Sequence, residues 1–113
     1  MYWNGTNSNA TNSSGFSGIG NGTRNSTSFI NQKTYSLYRT RTAFDNVADW
    51  HLPLISGSLT TTTSNGSIRT NGLPVRLVKN TTTLSPGQTS TYIGNDGKIY
   101  NTICIGTQEW MHQ

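Results

Sequence analysis

The sequence predicts a mainly β protein: a small antiparallel sheet domain with long Asn-, Gly-, Ser- and Thr-rich loops and a C-terminal β-hairpin. Three observations predict it. Thr, Asn, Ser and Gly supply half of the 113 residues. That mixture disfavours helices, because Thr is β-branched, Asn and Ser compete for backbone bonds, and Gly loses the most entropy on ordering. Several stretches alternate apolar and polar residues with period two. Between two of them stands Asn95-Asp96-Gly97, residue types that tolerate the positive φ of tight turns.

Residues 1–31 hold few apolar side chains and read as a long irregular loop region pinned at Trp3, Phe16 and Ile19; the alternative is a tail without fixed structure. Asx and Ser/Thr turns would satisfy its backbone. In residues 33–44, Tyr35, Leu37, Arg39 and Arg41 alternate with Ser36, Tyr38, Thr40 and Thr42, which predicts a strand. Residues 45–49 form a turn, and residues 50–56 a second strand that Pro53 assigns to a sheet edge or a bulge. Ser64-Asn65-Gly66-Ser67 is a second hairpin-turn signal. Residues 68–70 and 73–79 make a strand pair, or one strand interrupted at Asn71-Gly72, with Val75 and Leu77 on one face.

Residues 81–88, with Thr81-Thr82-Thr83 and Ser85-Pro86-Gly87, read as a linker. The chain thus divides into a body at 1–80, a linker at 81–88 and terminal strands at 89–113. In those strands Ile99, Asn101, Ile103 and Ile105 share one face, and Tyr100, Thr102 and Cys104 the other. Gly106-Thr107 breaks the run, and Glu109-Trp110-Met111 resumes it. This is the densest apolar patch in the chain, so it must be buried against its own body or against a neighbour.

Hydrophobic residues are 31% of the chain and charged residues 11%. A core this small is marginal alone, and association with further copies is the natural remedy. The net charge of +4 comes from dispersed Lys and Arg, so no nucleic-acid footprint is expected. No run approaches the ~20 apolar residues of a membrane span, and no signal peptide is visible at Met1. The lone Cys104 has no internal disulfide partner and reads as a small buried apolar residue.

Little in the sequence points to chemistry, and no enzymatic activity and no cofactor are expected. Asp49 and His51 share a strand face without a nucleophile, and Cys104 with His112 lacks a third group to orient the imidazole. Two His and one Cys do not make a zinc site, and Asp45, Asp49 and Asp96 are too scattered for calcium. Asn-x-Ser/Thr triplets begin at Asn4, Asn9, Asn12, Asn21, Asn25, Asn65 and Asn80, candidate glycan acceptors in a secretory context. Thr60–Thr63 and Thr81–Thr83 are candidates for O-linked sugar. A ligand face would draw on Tyr35, Tyr38, Arg39, Arg41 and Trp50, since aromatic rings stack on sugars and Arg pairs with acidic groups.

Several segments resemble the Fibrobacter succinogenes major paralogous domain, in permuted order. Tyr2-Trp3-Asn4, Ala10-Thr11-Asn12-Ser13-Ser14-Gly15-Phe16, Gly22-Thr23-Arg24-Asn25, Trp50-His51-Leu52 and Asn71-Gly72-Leu73-Pro74-Val75-Arg76-Leu77-Val78-Lys79 are similar to its later part. Residues 96–111 resemble its opening strands. The resemblance implies a remnant of a C-type-lectin-like fold, found in secreted and surface proteins of Bacteroidetes-like bacteria and in phage fibres. In that fold the first and last strands pair. The hairpin would then pair with residues 73–79 of its own chain or be donated to a neighbouring subunit. The calcium ligands used by lectins of the C-type fold have no counterpart here, since Leu52-Pro53-Leu54 and Leu73-Pro74-Val75 lack them.

The expected function is an extracellular structural subunit that builds a fibre or filament by head-to-tail β-strand exchange, outside a cell or on a virion. Ile99, Tyr100, Ile103, Ile105, Trp110, Val75 and Leu77 would carry assembly, and the partner is the chain itself, as a homopolymer. The alternative is a receptor- or glycan-binding module of a phage tail fibre or bacterial adhesin, whose partner is a cell-surface glycan or receptor.

Overall fold

The alternating stretches and the turn residues between them place nine strands among the described residues of the computed structural model. Those residues are 3–5, 11–58, 60, 61 and 64–112, with the backbone alone at 64 and 65. The chain is mainly β, all strand pairs are antiparallel, and no helix occurs among the described residues. None of them therefore forms a helix long and apolar enough to cross a membrane. Two compact units form: residues 18–75 with 3–5, and residues 76–112 with 11–17.

In the first unit, β3 (Tyr35–Ala43), β4 (Ala48–Ile55) and β5 (Ser64–Ile68) form a sheet in that order. The loop reading of residues 1–31 needs one correction, because β1 (Thr23–Arg24) and β2 (Phe29–Ile30) pair as a short hairpin. Asn25 makes this turn, its side-chain oxygen accepting from the N–H groups of Thr27 and Ser28. Trp3 pins the loop as expected, donating from Nε1 to the Gly18 carbonyl at 3.1 Å.

Pro53 does not mark an edge: β4 is the central strand. The Thr34 carbonyl accepts from the Ser56 N–H, so by alternation Leu37↔Pro53 is a non-hydrogen-bonded pair and the missing N–H costs no ladder bond to β3. The β5 pairing reaches His51 and goes no further, leaving Pro53 clear of it. Residues 64–67 are likewise not a turn but lie inside β5. Asp49 pairs with Ser67 and His51 with Ser64, so an extra residue bulges from β5 there. Gly66, at φ 55°, supplies the left-handed conformation of that bulge. Positive φ was legible at Gly66; its use was not.

In the second unit, β6 (Val78–Lys79), β7 (Thr89–Ile93), β8 (Ile99–Ile105) and β9 (Gln108–His112) form a sheet in the order β6-β9-β8-β7. Asn95-Asp96-Gly97 turns β7 into β8, with the Gly94 N–H donating to the Lys98 carbonyl. Gly106-Thr107 is a two-residue turn, which sends β9 back along β8. Residues 73–79 contribute two strand residues rather than a long strand, and these pair with β9 as Val78↔Trp110 and Lys79↔Glu109. In this structure, then, the terminal hairpin pairs with its own chain.

Residues 80–88 are fastened into the unit rather than free. They carry the chain from one sheet edge to the other, with the Gly87 N–H donating to the Cys104 carbonyl and the Cys104 N–H to the Gln88 carbonyl. The opposite sheet face is covered by residues 11–17. Phe16 stacks edge-on against Trp110 at 5.6 Å, Arg76 lies over the Phe16 ring, and Gly15 sits on Ile103. A methyl at Gly15 would collide with Ile103 Cδ1, and its φ of 72° is costly for any other residue. Gly15→Ala should destabilise by at least ~1 kcal/mol from backbone strain. Ile103→Val, which deletes Cδ1, should cost about 0.5–1.5 kcal/mol. Chemical denaturation of the double variant should show a loss smaller than the sum, since the shorter side chain relieves the collision.

Candidate functional site

The register of the second sheet decides which side chains share its open face. Thr102 pairs with Met111 and Ser90, Tyr100 with Tyr92, Cys104 with Glu109, and Glu109 with Lys79. The Met111 N–H donates to the Leu77 carbonyl, which aligns Leu77 with Met111. All of these lie on one face, opposite Ile103 and Trp110. The strap at 80–88 crosses the Cys104–Glu109 end of it, where the Leu84 carbonyl accepts from Cys104 Sγ and Thr82 donates to Glu109. Beyond the strap lies a cavity of 370 Å³ lined by Leu77, Lys79, Tyr92, Thr102, Glu109 and Met111, among others.

Its floor is an anion with its partners in place. Thr102 Oγ1 donates to Glu109 Oε1 at 2.7 Å, Thr82 Oγ1 to Oε2 at 3.1 Å, and Lys79 Nζ stands 3.7 Å away. The Thr102 bond foremost, then the Thr82 bond and the Lys79 charge, hold this carboxyl below its ordinary value. A carboxylate so held is a poor proton donor. The groove walls of Leu77, Met111 and Tyr92 would receive apolar side chains.

Among the described residues the sheet also has two open edges, β6 and β7. The Cys104 N–H bonds to Gln88 and the Gly94 N–H to Lys98, so by alternation residues 88, 90, 92 and 94 hold the β7–β8 ladder. Thr89, Thr91 and Ile93 therefore turn their backbone N–H and C=O outward. Every residue of β7 is exposed and none is charged or Pro. Across the sheet, Leu77 and Lys79 bond to β9, and Val78 faces out.

The expected assembly residues do not share one face: Ile99, Ile103, Ile105 and Trp110 lie on the covered side, Tyr100 and Leu77 on the groove side, and Val75 belongs to the first unit. Ile103 is buried; Ile105, Trp110 and Tyr100 are half-buried; Ile99, Val75 and Leu77 are exposed. Tyr100 donates to Asp96 at 2.8 Å and stiffens the β7–β8 turn. Tyr92, Met111, Thr102, Glu109 and Lys79 were missed. The alternation of Thr89-Ser90-Thr91-Tyr92-Ile93 hinted at Tyr92, but the others join the site only through register.

Three of the expected ligand residues are engaged within the first unit. Tyr38 is buried, Trp50 packs edge-on against Phe44 at 5.2 Å, and Arg39 bonds Asp49 at 2.7 Å and the Asn71 carbonyl at 2.8 Å. Tyr35 is half-buried and Arg41 exposed. Of the candidate glycan acceptors, Asn4 and Asn21 are exposed. The side chains of Asn12, Asn25 and Asn80 bond Ser17, the turn at 25–28 and Gln108 respectively. Asn9, the side chain of Asn65 and two of the candidate O-linked threonines, Thr62 and Thr63, lie outside the described residues.

The residue pairs weighed for catalysis are engaged elsewhere. Cys104 and His112 point to opposite faces of the sheet, with His112 Nε2 3.2 Å from Ser17 Oγ. Asp49 is held by Arg69 and Arg39, whose hydrogen bonds, in that order, keep its carboxyl below the ordinary range. His51 is buried with Nδ1 unpartnered among the described residues, and burial first, then the Arg39 charge, pushes its pKa down.

No protein-family model matches the chain, and no curated protein or solved structure matches it.

His51 gives a pH test. Its folded pKa lies below the ordinary 6.5, so the unfolded chain binds the proton more readily. Its contribution to stability is complete above the unfolded pKa and is lost as pH falls through the folded value. Denaturant midpoints should drop as pH falls below about 6.5, and His51→Gln should flatten that part of the profile.

Proposed function

We propose that this chain is an extracellular structural subunit, on a cell surface or a virion, that assembles head to tail into a fibre through β-strand pairing between copies. The observation that carries the reading is β7, an uncharged and fully exposed edge strand with none of the Lys, Pro or bulge devices that guard such edges. Exposed apolar side chains border both sheet edges: Leu77 is 61% exposed, Tyr92 52% and Ile93 66%. The terminal hairpin closes on β6 through two register pairs, and a neighbour's hairpin would make the same two in a strand exchange. The resemblance to a family of secreted, surface and phage-fibre proteins with a C-type-lectin-like fold supports an extracellular setting.

The second reading, a receptor- or glycan-binding module, draws support from the Leu77–Met111–Tyr92 groove rather than from the first unit, where Tyr38, Arg39 and Trp50 serve packing. Electron microscopy and sedimentation of the purified chain over rising concentration separate the two. The fibre reading expects filaments above a threshold concentration. A monomer at every concentration would reject it.

A further inference from the structure

We infer that copies join edge to edge through the second unit, the outer edge of β7 in one copy pairing antiparallel with the outer edge of β6 in the next. This rests on the fibre reading above and specifies its contact. The occupant of each open edge is a second copy, because the two edges of one molecule complement each other in direction, register and side-chain face.

Direction comes first. The order β6-β9-β8-β7 has three antiparallel steps, so β6 and β7 run antiparallel to each other. A copy displaced across the strands therefore presents β6 to β7 in the antiparallel sense, and the ladder continues unbroken. Register follows from the outward groups. Thr91 and Ile93 on β7 and Val78 on β6 turn their backbone groups outward; setting Thr91 opposite Val78 puts Ile93 opposite Arg76 and Thr89 opposite Asn80.

Face is decided by the same register. Tyr92 then stands opposite Leu77, and both belong to the groove face. Each is more than half exposed in the single chain, and cross-strand pairing would cover both. The groove of one copy would run on into that of the next. Such a contact is heterologous and does not close on itself. Four strand spacings per copy give a rise of about 19 Å, and strand twist gives about 80–100° of rotation.

The test uses the whole chain. A Val78→Cys/Thr91→Cys double variant, oxidised after assembly, should give a ladder of covalent oligomers on a non-reducing gel. Each single variant, and the parent chain with Cys104 buried at 1%, should not. Thr91→Pro removes an outward N–H and leaves the ladder to β8 intact; it should raise the assembly threshold about tenfold or more. Thr91→Lys, which keeps the N–H and adds a guarding charge, should do the same if Pro disturbs the fold. Covalent dimers from Thr91→Cys alone would show a closed β7–β7 pair and overturn the inference. Filaments that ignore all these variants would overturn it and leave the fibre reading standing. A parent chain that never assembles would remove both.

Discussion

The second unit has enough apolar side chains to cover one face of its sheet, and this shortage shapes the rest of it. The covered face is closed by residues 11–17, where Phe16 meets Trp110 and Gly15 meets Ile103. Without that loop, Ile103, Trp110 and Ile105 would face water. The other face is crossed by the strap at 80–88 at its Cys104–Glu109 end and opens into the groove beyond it. There the polar residues Thr102, Glu109, Thr82 and Lys79 form a satisfied network between Leu77, Met111 and Tyr92. A network whose groups are all partnered avoids the penalty of an orphaned buried charge. It provides less hydrophobic stabilisation than an apolar layer would.

The first unit meets the same shortage with a different polar device. Asp49 sits between Arg39 and Arg69, and the Arg69 guanidinium also bonds the carbonyls of Asp45 and Asn46. One carboxylate thus ties β3, β4 and the turn after β5 together. Arg39 extends the tie to the Asn71 carbonyl, which holds the chain as it leaves the sheet. Ser36, Tyr38 and His51 fill interior positions that a richer sequence would give to Leu or Ile.

The strands around residues 35–43, 48–55 and 89–105 were legible because period-two alternation is a local signal and their turns carry Asn, Asp and Gly. Pro53 and Gly66 were misplaced for a shared reason. Each residue reports what its own backbone can do, and neither reports which partner strand lies beside it. Pro53 is harmless at a non-hydrogen-bonded position of a central strand, and Gly66 makes a bulge as readily as a turn. The strap at 80–88 was hidden because Thr, Ser, Pro and Gly compose linkers and ordered crossings alike. Arg39 illustrates the limit at the site: composition cannot tell a guanidinium that reads a ligand from one already held by Asp49.

Strand number has a consequence that side-chain chemistry alone would not give. In a sheet of alternating strands, an odd count leaves the two edges parallel, and simple translation would then bring parallel strands together. Parallel pairing is slightly weaker per residue, and a two-fold partner becomes the better way to cover the edges. An even count, as here, makes the edges antiparallel, so translation repeats the native pairing. Twist then converts that translation into a helix instead of a flat ribbon. The shortness of β6, two residues against five in β7, would limit each proposed junction to a few backbone bonds. Weak junctions along an open chain would make the proposed assembly reversible and strongly dependent on concentration, whereas a swapped hairpin, which must first leave its own sheet, would exchange slowly.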